Sequence, residues 1–185
     1  MAKLLYAMLA SLDGYNADES GNFDFAAPDE EVHAAVNDIE RSVGTSLLGR
    51  RMYDVLVAWE TMDTSREPDV IKDYASLWHG TDKIVFSRTL DKPASARTRI
   101  EREFDPAAIR RRKTEATRDL SIGGPELAAL AFKAGLVDEC HLFLMPVVIG
   151  RGKSALPTDM RLKLELLRER RFASGAVHVH YRIAS

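Results

Sequence analysis

Two periodicities alternate along this 185-residue chain, and they predict strands and helices in turn. Lys3 to Ser11 is a continuous apolar run of strand length, closed by the turn signal Asp13-Gly14. Pro28 to Arg41 then carries Val32, Val36 and Ile39 at helical spacing. Its first turn holds Asp29, Glu30 and Glu31, which suit the positive end of a helix dipole. Thr45 to Leu48 is a second strand, followed by Gly49-Arg50-Arg51 and a helix starting near Met52. Asp69 to Trp78 reads as a helix, Lys83 to Phe86 as a third strand and Thr98 to Glu101 as a weaker one. Asp105 caps a helix that opens on Pro106 and runs to about Glu115.

In the last third, Asp119 to Ile122 enters Gly123-Gly124-Pro125, and a helix follows from Glu126 to Ala134. Leu127, Leu130, Ala131 and Ala134 are expected on its apolar face, with Gly135 as the stop. Leu142 to Ile149 reads as a buried strand. Val177, Val179, Tyr181 and Ile183 alternate with polar residues in a final, half-exposed strand. This order predicts an α/β fold: a mostly parallel sheet with helices on both faces and an antiparallel C-terminal edge. The polar stretch Asp63 to Pro68 is too short to separate domains, so residues 1–185 are expected to form a single one.

Composition removes several classes. A net charge of −2 argues against a general nucleic-acid or acidic-membrane partner. The basic run Arg110 to Lys113 is flanked by acids and is expected to be a solvated face. No stretch reaches the ~18 apolar residues of a membrane span. The N-terminal run lacks the strongly basic start of an export signal, so a cytoplasmic protein is expected. Cys140, the one cysteine, sits in an apolar run and is expected to be a buried thiol.

The candidate chemistry gathers at strand ends. Gly123-Gly124 lets the backbone approach a ligand closely, and the helix behind it offers free N–H groups and a positive dipole end to a phosphate. Gly49-Arg50-Arg51 and Ser87-Arg88 place guanidinium groups at the carboxyl edge of the sheet, where open α/β sheets bind ligands. Ile149 to Ser154 lacks the first P-loop glycine, since position 147 is Val147. No Rossmann glycine fingerprint follows the first strand. His178 and His180 share a strand face, but no third ligand lies near in sequence. A polar outer face is expected there and no metal. Asp13, and Asp29, Glu30 and Glu31 at the start of the first helix, are the candidate proton carriers. Trp59, Phe23 and Phe25 could stack on a flat ligand.

Read together, these segments resemble the dihydrofolate-reductase-like superfamily. The likeness is greatest to the reductase domain that accompanies the deaminase of bacterial riboflavin biosynthesis, and to its stand-alone relatives. It is carried by Ser11 to Tyr15, Leu48 to Tyr53, Ile84 to Arg88, and most specifically by Ser121 to Glu126 with Gly135 to Glu139 and Pro146 to Gly152. The resemblance implies a three-layer fold around a mixed sheet of about eight strands, NADPH as cofactor, and a homodimer. By position, Gly49, Arg50, Arg51 and Met52 would line the adenosine and phosphate side, and Ser87 and Arg88 would meet the ribose 2′-phosphate. Ile122, Gly123, Gly124, Pro125, Glu126 and Leu127 would hold the pyrophosphate, while Asp13, Gly14 and Tyr15 would border the nicotinamide.

The activity implied is hydride transfer to a pterin-like, pyrimidine-like or related heterocycle, with Glu30 or Asp13 delivering the proton. Two features depart from the pattern. The loop Asn22 to Pro28 holds no tryptophan, unlike true dihydrofolate reductases, and no zinc-deaminase motif is present. The alternative is a non-catalytic nucleotide- or ligand-binding protein that retains the fold.

Overall fold

The computed structural model describes residues 1–184; Ser185, the last residue of the expected domain, lies outside them. Strand β1 (Leu4–Ser11) is apolar on both faces and takes a central place in the sheet. A short β2 (Tyr15–Ala17), helix α1 (Glu30–Glu40), β3 (Val43–Gly49), α2 (Arg50–Leu56) and α3 (Asp69–Gly80) follow. Next come β4 (Asp82–Phe86), β5 (Thr98–Glu101), α4 (Pro106–Glu115), β6 (Asp119–Gly123), α5 (Pro125–Lys133) and β7 (Glu139–Met145). The chain closes with β8 (Lys153–Ser154), β9 (Lys163–Arg171) and β10 (Val177–Ala184). Eight strands form one sheet in the order β5-β4-β3-β6-β1-β7-β10-β9, and β2 pairs with β8 apart from it. The strands from β5 to β7 run parallel, while β10 is antiparallel to both β7 and β9.

The period of two along β1 divides its side chains between two cores. Leu4, Tyr6, Met8 and Ala10 pack with Ile109 of α4 and with Leu127, Ala128, Ala131 and Phe132 of α5. On the opposite face Leu9 packs toward Val32 and Ala35 of α1, together with Phe143 and Phe172. A third cluster joins Leu48 and Val85 to Tyr53 of α2 and Trp78 of α3. Each fully buried Leu, Ile or Phe contributes roughly 1.5–3 kcal/mol through loss of water-exposed apolar surface. Asp29 caps α1 by accepting from the Val32 N–H at 2.8 Å, and Asp105 does the same for α4 from Ala107 at 2.9 Å.

Several expectations need correction. The strand expected over residues 142–149 is β7, starting at Glu139 and ending before Pro146, which has no N–H to give a ladder. Leu130 is exposed; the buried stripe of α5 runs through Leu127, Ala128, Ala131 and Phe132. Lys113 does not belong to a solvated face. It is 7% exposed, donates to the Leu136 carbonyl at 2.7 Å and lies 2.6 Å from Asp138. His178 is likewise buried rather than on a polar outer face. Cys140 is buried as expected, and burial pushes its thiol up to about 12. Among the described residues no helix is long and apolar enough to cross a membrane.

Candidate active site

Two helices begin side by side where β3 and β6 end. The strands pair in register at Leu48 and Gly123, and the next residues, Gly49 and Gly124, are the N-caps of α2 and α5. Neither glycine carries a side chain to satisfy the first N–H groups of its helix, so those donors face the strand ends unused by caps. Gly124 holds φ +98°, a backbone conformation that side chains rarely adopt. A Cβ on Gly123 would come within 2.9 Å of Leu48 Cδ2 and 3.1 Å of Met52 Cγ, so glycine is also what lets β6 lie this close to α2.

Arg50 and Arg51 stand on the first turn of α2, as anticipated. Arg50 Nε contacts both Asp54 oxygens at 2.8 Å, and Arg51 Nη1 donates to Glu126 Oε1 at 2.9 Å across the two helix starts. These exposed pairs are worth no more than about 1 kcal/mol each, so a phosphate could replace the carboxylates at little cost. Ser87 sits differently. Its hydroxyl is buried in a turn and accepts from the Leu90 N–H at 3.0 Å, while Arg88 projects exposed.

Below this junction lies an apolar pocket of about 170 Å³ between the sheet and helices α1 and α3. Ala7, Leu9, Ser46, Leu48, Ser121 and Gly123 form its sheet side, and Val36, Glu40, Tyr74, Leu77 and Trp78 its helix side. A cavity of about 150 Å³ accommodates a benzene-sized ring, so one flat ring fits this volume. A wider depression of about 590 Å³ between Asp18–Ser20 and Ile149–Arg151 is an open dish, with none of the convergent apolar lining of the first.

Glu40 is the carboxyl group that lines the pocket. Burial among apolar groups raises its carboxyl to about 7, so near neutrality it holds a proton about half the time. Burial likewise raises the Tyr74 phenol, helped by the neighbouring Glu40 charge. Neither carboxylate singled out from the sequence lines this pocket. Glu30 is exposed in the first turn of α1. Asp13 is exposed and accepts from the Gly150 N–H at 2.7 Å and the Ile149 N–H at 3.2 Å. With the Ser11 hydroxyl these donors hold its carboxyl below the usual range, which suits a loop tie rather than a proton donor. Gly14 turns the chain with φ +88° into Tyr15, which pairs with Ser154. The side-chain oxygen of the next residue, Asn16, is buried without a hydrogen-bond partner. Trp59 packs on Tyr74 at 4.8 Å and Phe25 in the α1 core, so both serve packing; Phe23 is exposed.

The family model of the RibD C-terminal domain matches residues 2–178. The chain belongs to that family. Among its relatives is the uncharacterized protein YyaP of Bacillus subtilis (strain 168), 27% identical over 181 residues, or 97% of this chain and 94% of the relative. A solved protein assigned to riboflavin biosynthesis from Shewanella sp. PV-4 superposes with a TM-score of 0.78 at 17% identity over the whole of both chains. A Thermotoga maritima diaminohydroxyphosphoribosylaminopyrimidine deaminase/5-amino-6-(5-phosphoribosylamino)uracil reductase gives a TM-score of 0.69 at 12% identity. There the match covers 99% of this chain but 57% of the other. The fold of this RibD C-terminal domain is therefore the reductase-like one expected.

A second cluster lies on the same sheet face as α1, toward the amino end of β7. His180 pairs in register with His141, and their rings stack at 3.9 Å. His141 Nδ1 is 3.1 Å from His178 Nε2, and His180 Nε2 is 3.0 Å from Glu139 Oε2. Burial is the main cause that lowers His141 to about 3 and His178 to about 4, with the neighbouring His180 adding to it. Burial alone would raise the Glu139 carboxyl, but Lys3 at 2.7 Å and His180 outweigh it and hold the group below its usual range. The groups that join His178 and His180 here, Glu139 and His141, come from β7, distant in sequence and adjacent in the sheet.

Proposed function

We propose that residues 1–185 act as a single NADPH-dependent reductase domain that passes a hydride to a flat pyrimidine-like, pterin-like or related heterocycle. The observation that carries this reading is one continuous constellation: Leu48, Met52, Ile122 and Gly123 line the apolar pocket and also border the paired helix starts at Gly49 and Gly124. A phosphate-seeking junction and a ring-sized pocket thus share a wall. The Thermotoga maritima protein named above is a deaminase and 5-amino-6-(5-phosphoribosylamino)uracil reductase, which favours a substrate built on a pyrimidine.

In this reading Gly123, Gly124, Pro125, Glu126 and Leu127, with Ile122 beneath them, hold the pyrophosphate through the backbone at the start of α5. Gly49, Arg50, Arg51 and Met52 hold the adenosine side. The exposed Arg88 guanidinium binds the 2′-phosphate beside Ser87, which shapes its turn. Gly14 and Tyr15 border the nicotinamide. Bound there, NADPH supplies the hydride. The chain itself contributes alignment, exclusion of water and a proton source. Glu40, rather than Glu30 or Asp13, is set to hold that proton, because it alone of the three lines the pocket, where burial raises its carboxyl to about 7. The protein works in the cytoplasm, as a homodimer. The edge strand β9, with Leu166 half exposed, offers a surface for the second copy.

Titration with NADPH and separately with NADH, followed by nicotinamide fluorescence, tests the cofactor site. Selective NADPH binding, with oxidation when pyrimidines or pterins are added, is the expected result. Binding without turnover on any heterocycle would favour the non-catalytic alternative, and no binding of either cofactor would end the reductase reading.

A further inference from the structure

We propose that Glu139, His141 and His180 form a binding site for a divalent transition-metal ion of the zinc class, tying β7 to β10 outside the lining of the reductase pocket. One donor atom from each of the three lies within 4.8 Å of the other two. Two imidazole nitrogens and a carboxylate oxygen form a donor set that zinc accepts, with a fourth position left for water. At metal–ligand distances of about 2.0–2.2 Å, tetrahedral donors stand roughly 3.3 Å apart. His180 Nε2 and Glu139 Oε2, now 3.0 Å apart around a shared proton, need separate only slightly for an ion to replace that proton.

The surroundings favour the same reading. The hydrogen bond of His141 uses Nδ1, toward His178 Nε2 at 3.1 Å, which leaves its Nε2 for a ligand. A metal-bound histidine is commonly fixed in this way by a partner on its other nitrogen. His178 is in turn held flat against Phe143, their rings stacked at 4.3 Å. Glu139 and His141 are both 7% exposed and both lie on rigid strands, so the donors lose little ordering entropy when an ion binds. Opposing cations flank the site: Lys3, half exposed, sits 2.7 Å from Glu139 Oε1 and leaves Oε2 to the His180 side, while Arg182 and Arg168 stand in register with Glu139 and His180, Arg182 turned to Glu165 at 3.0 Å.

The test uses the whole chain after dialysis against a chelator. Zinc is titrated in competition with a chromogenic chelator, and cobalt is added separately for its visible ligand-field spectrum. One zinc per chain, a low-coordinate cobalt spectrum and a higher Tm with zinc are expected. His141→Gln and His180→Gln should each weaken zinc binding by about tenfold or more. Lys3→Gln alters an exposed residue and should leave the fold intact. By removing the cation on Glu139 it should tighten zinc binding severalfold. Absence of stoichiometric binding, or zinc affinity unchanged in the histidine variants, would overturn the site. So would unchanged or weakened affinity in Lys3→Gln, which decides the matter even if a histidine variant fails to fold.

Discussion

Replacing Glu40 with glutamine should make this protein more stable at alkaline pH, and the size of the gain follows from the pocket. In an unfolded chain the carboxyl titrates at its ordinary 4.5; among Val36, Leu77 and Phe143 it titrates at about 7. Below the lower value both states are protonated and the group costs nothing. Between the two values the unfolded chain has released its proton while the folded one retains it, so stability falls as pH rises. Above about 7 the full penalty is present, roughly 3 kcal/mol at 1.36 kcal/mol per pH unit. Glutamine carries no charge at any pH and escapes that penalty. Urea unfolding at a series of pH values from about 5 to 8.5 would measure it. The variant should gain on wild type progressively across that range, reaching the equivalent of a Tm difference of roughly 6–12 °C for a chain of this size. A stability difference that stays constant with pH would refute the argument, because it would mean Glu40 ionises in the fold as it does in water. A wild type that gains on the variant as pH rises would refute it more strongly, since the carboxylate would then be stabilised by a partner.

Other perturbations probe different regions of the site. Gly124→Ala forces a side chain into φ +98° and should cost about 2 kcal/mol in urea unfolding, with NADPH binding weakened further. Arg88→Ala, and separately Arg50→Ala with Arg51→Ala, should weaken NADPH binding more than NADH binding in the fluorescence titration. Equal losses would mean these arginines do not read the 2′-phosphate. Lys113→Met leaves the Leu136 carbonyl and Asp138 without their donor, and should lower stability by about 2 kcal/mol at neutral pH. Asp138 also accepts from the Leu4 N–H at 2.6 Å, so hydrogen exchange at the start of β1 should speed up in the same variant.

How far the sequence can be read depends on whether one side of an element faces water. Strand β1 and the Gly-Gly entry to α5 are plain, because continuous burial and a sharp turn leave unmistakable residue types. Strand β9 gives no such signal. Both of its faces are largely exposed, and the register shift opposite His180 and Tyr181 leaves Leu167 out of the ladder. Leucines at 164 and 166 and arginines at 168 and 170 then follow no single alternation. Glu40 escapes a search confined to the helix start, although a signal exists: it stands four residues beyond Val36 and eight beyond Val32, on the apolar stripe of α1. A lone acid on such a stripe is a stronger pointer to a pocket than acids in a first helical turn, which the dipole already accounts for. The histidine cluster is hidden for a different reason. Period two puts His178 and His180 on one face, and the same period puts Glu139 and His141 on one face of β7. Only the antiparallel register, His180 against His141, brings the two polar rows together. Local spacing can find a ligand pair within one strand, but a site shared between strands is specified by their pairing, which single-strand patterns do not contain.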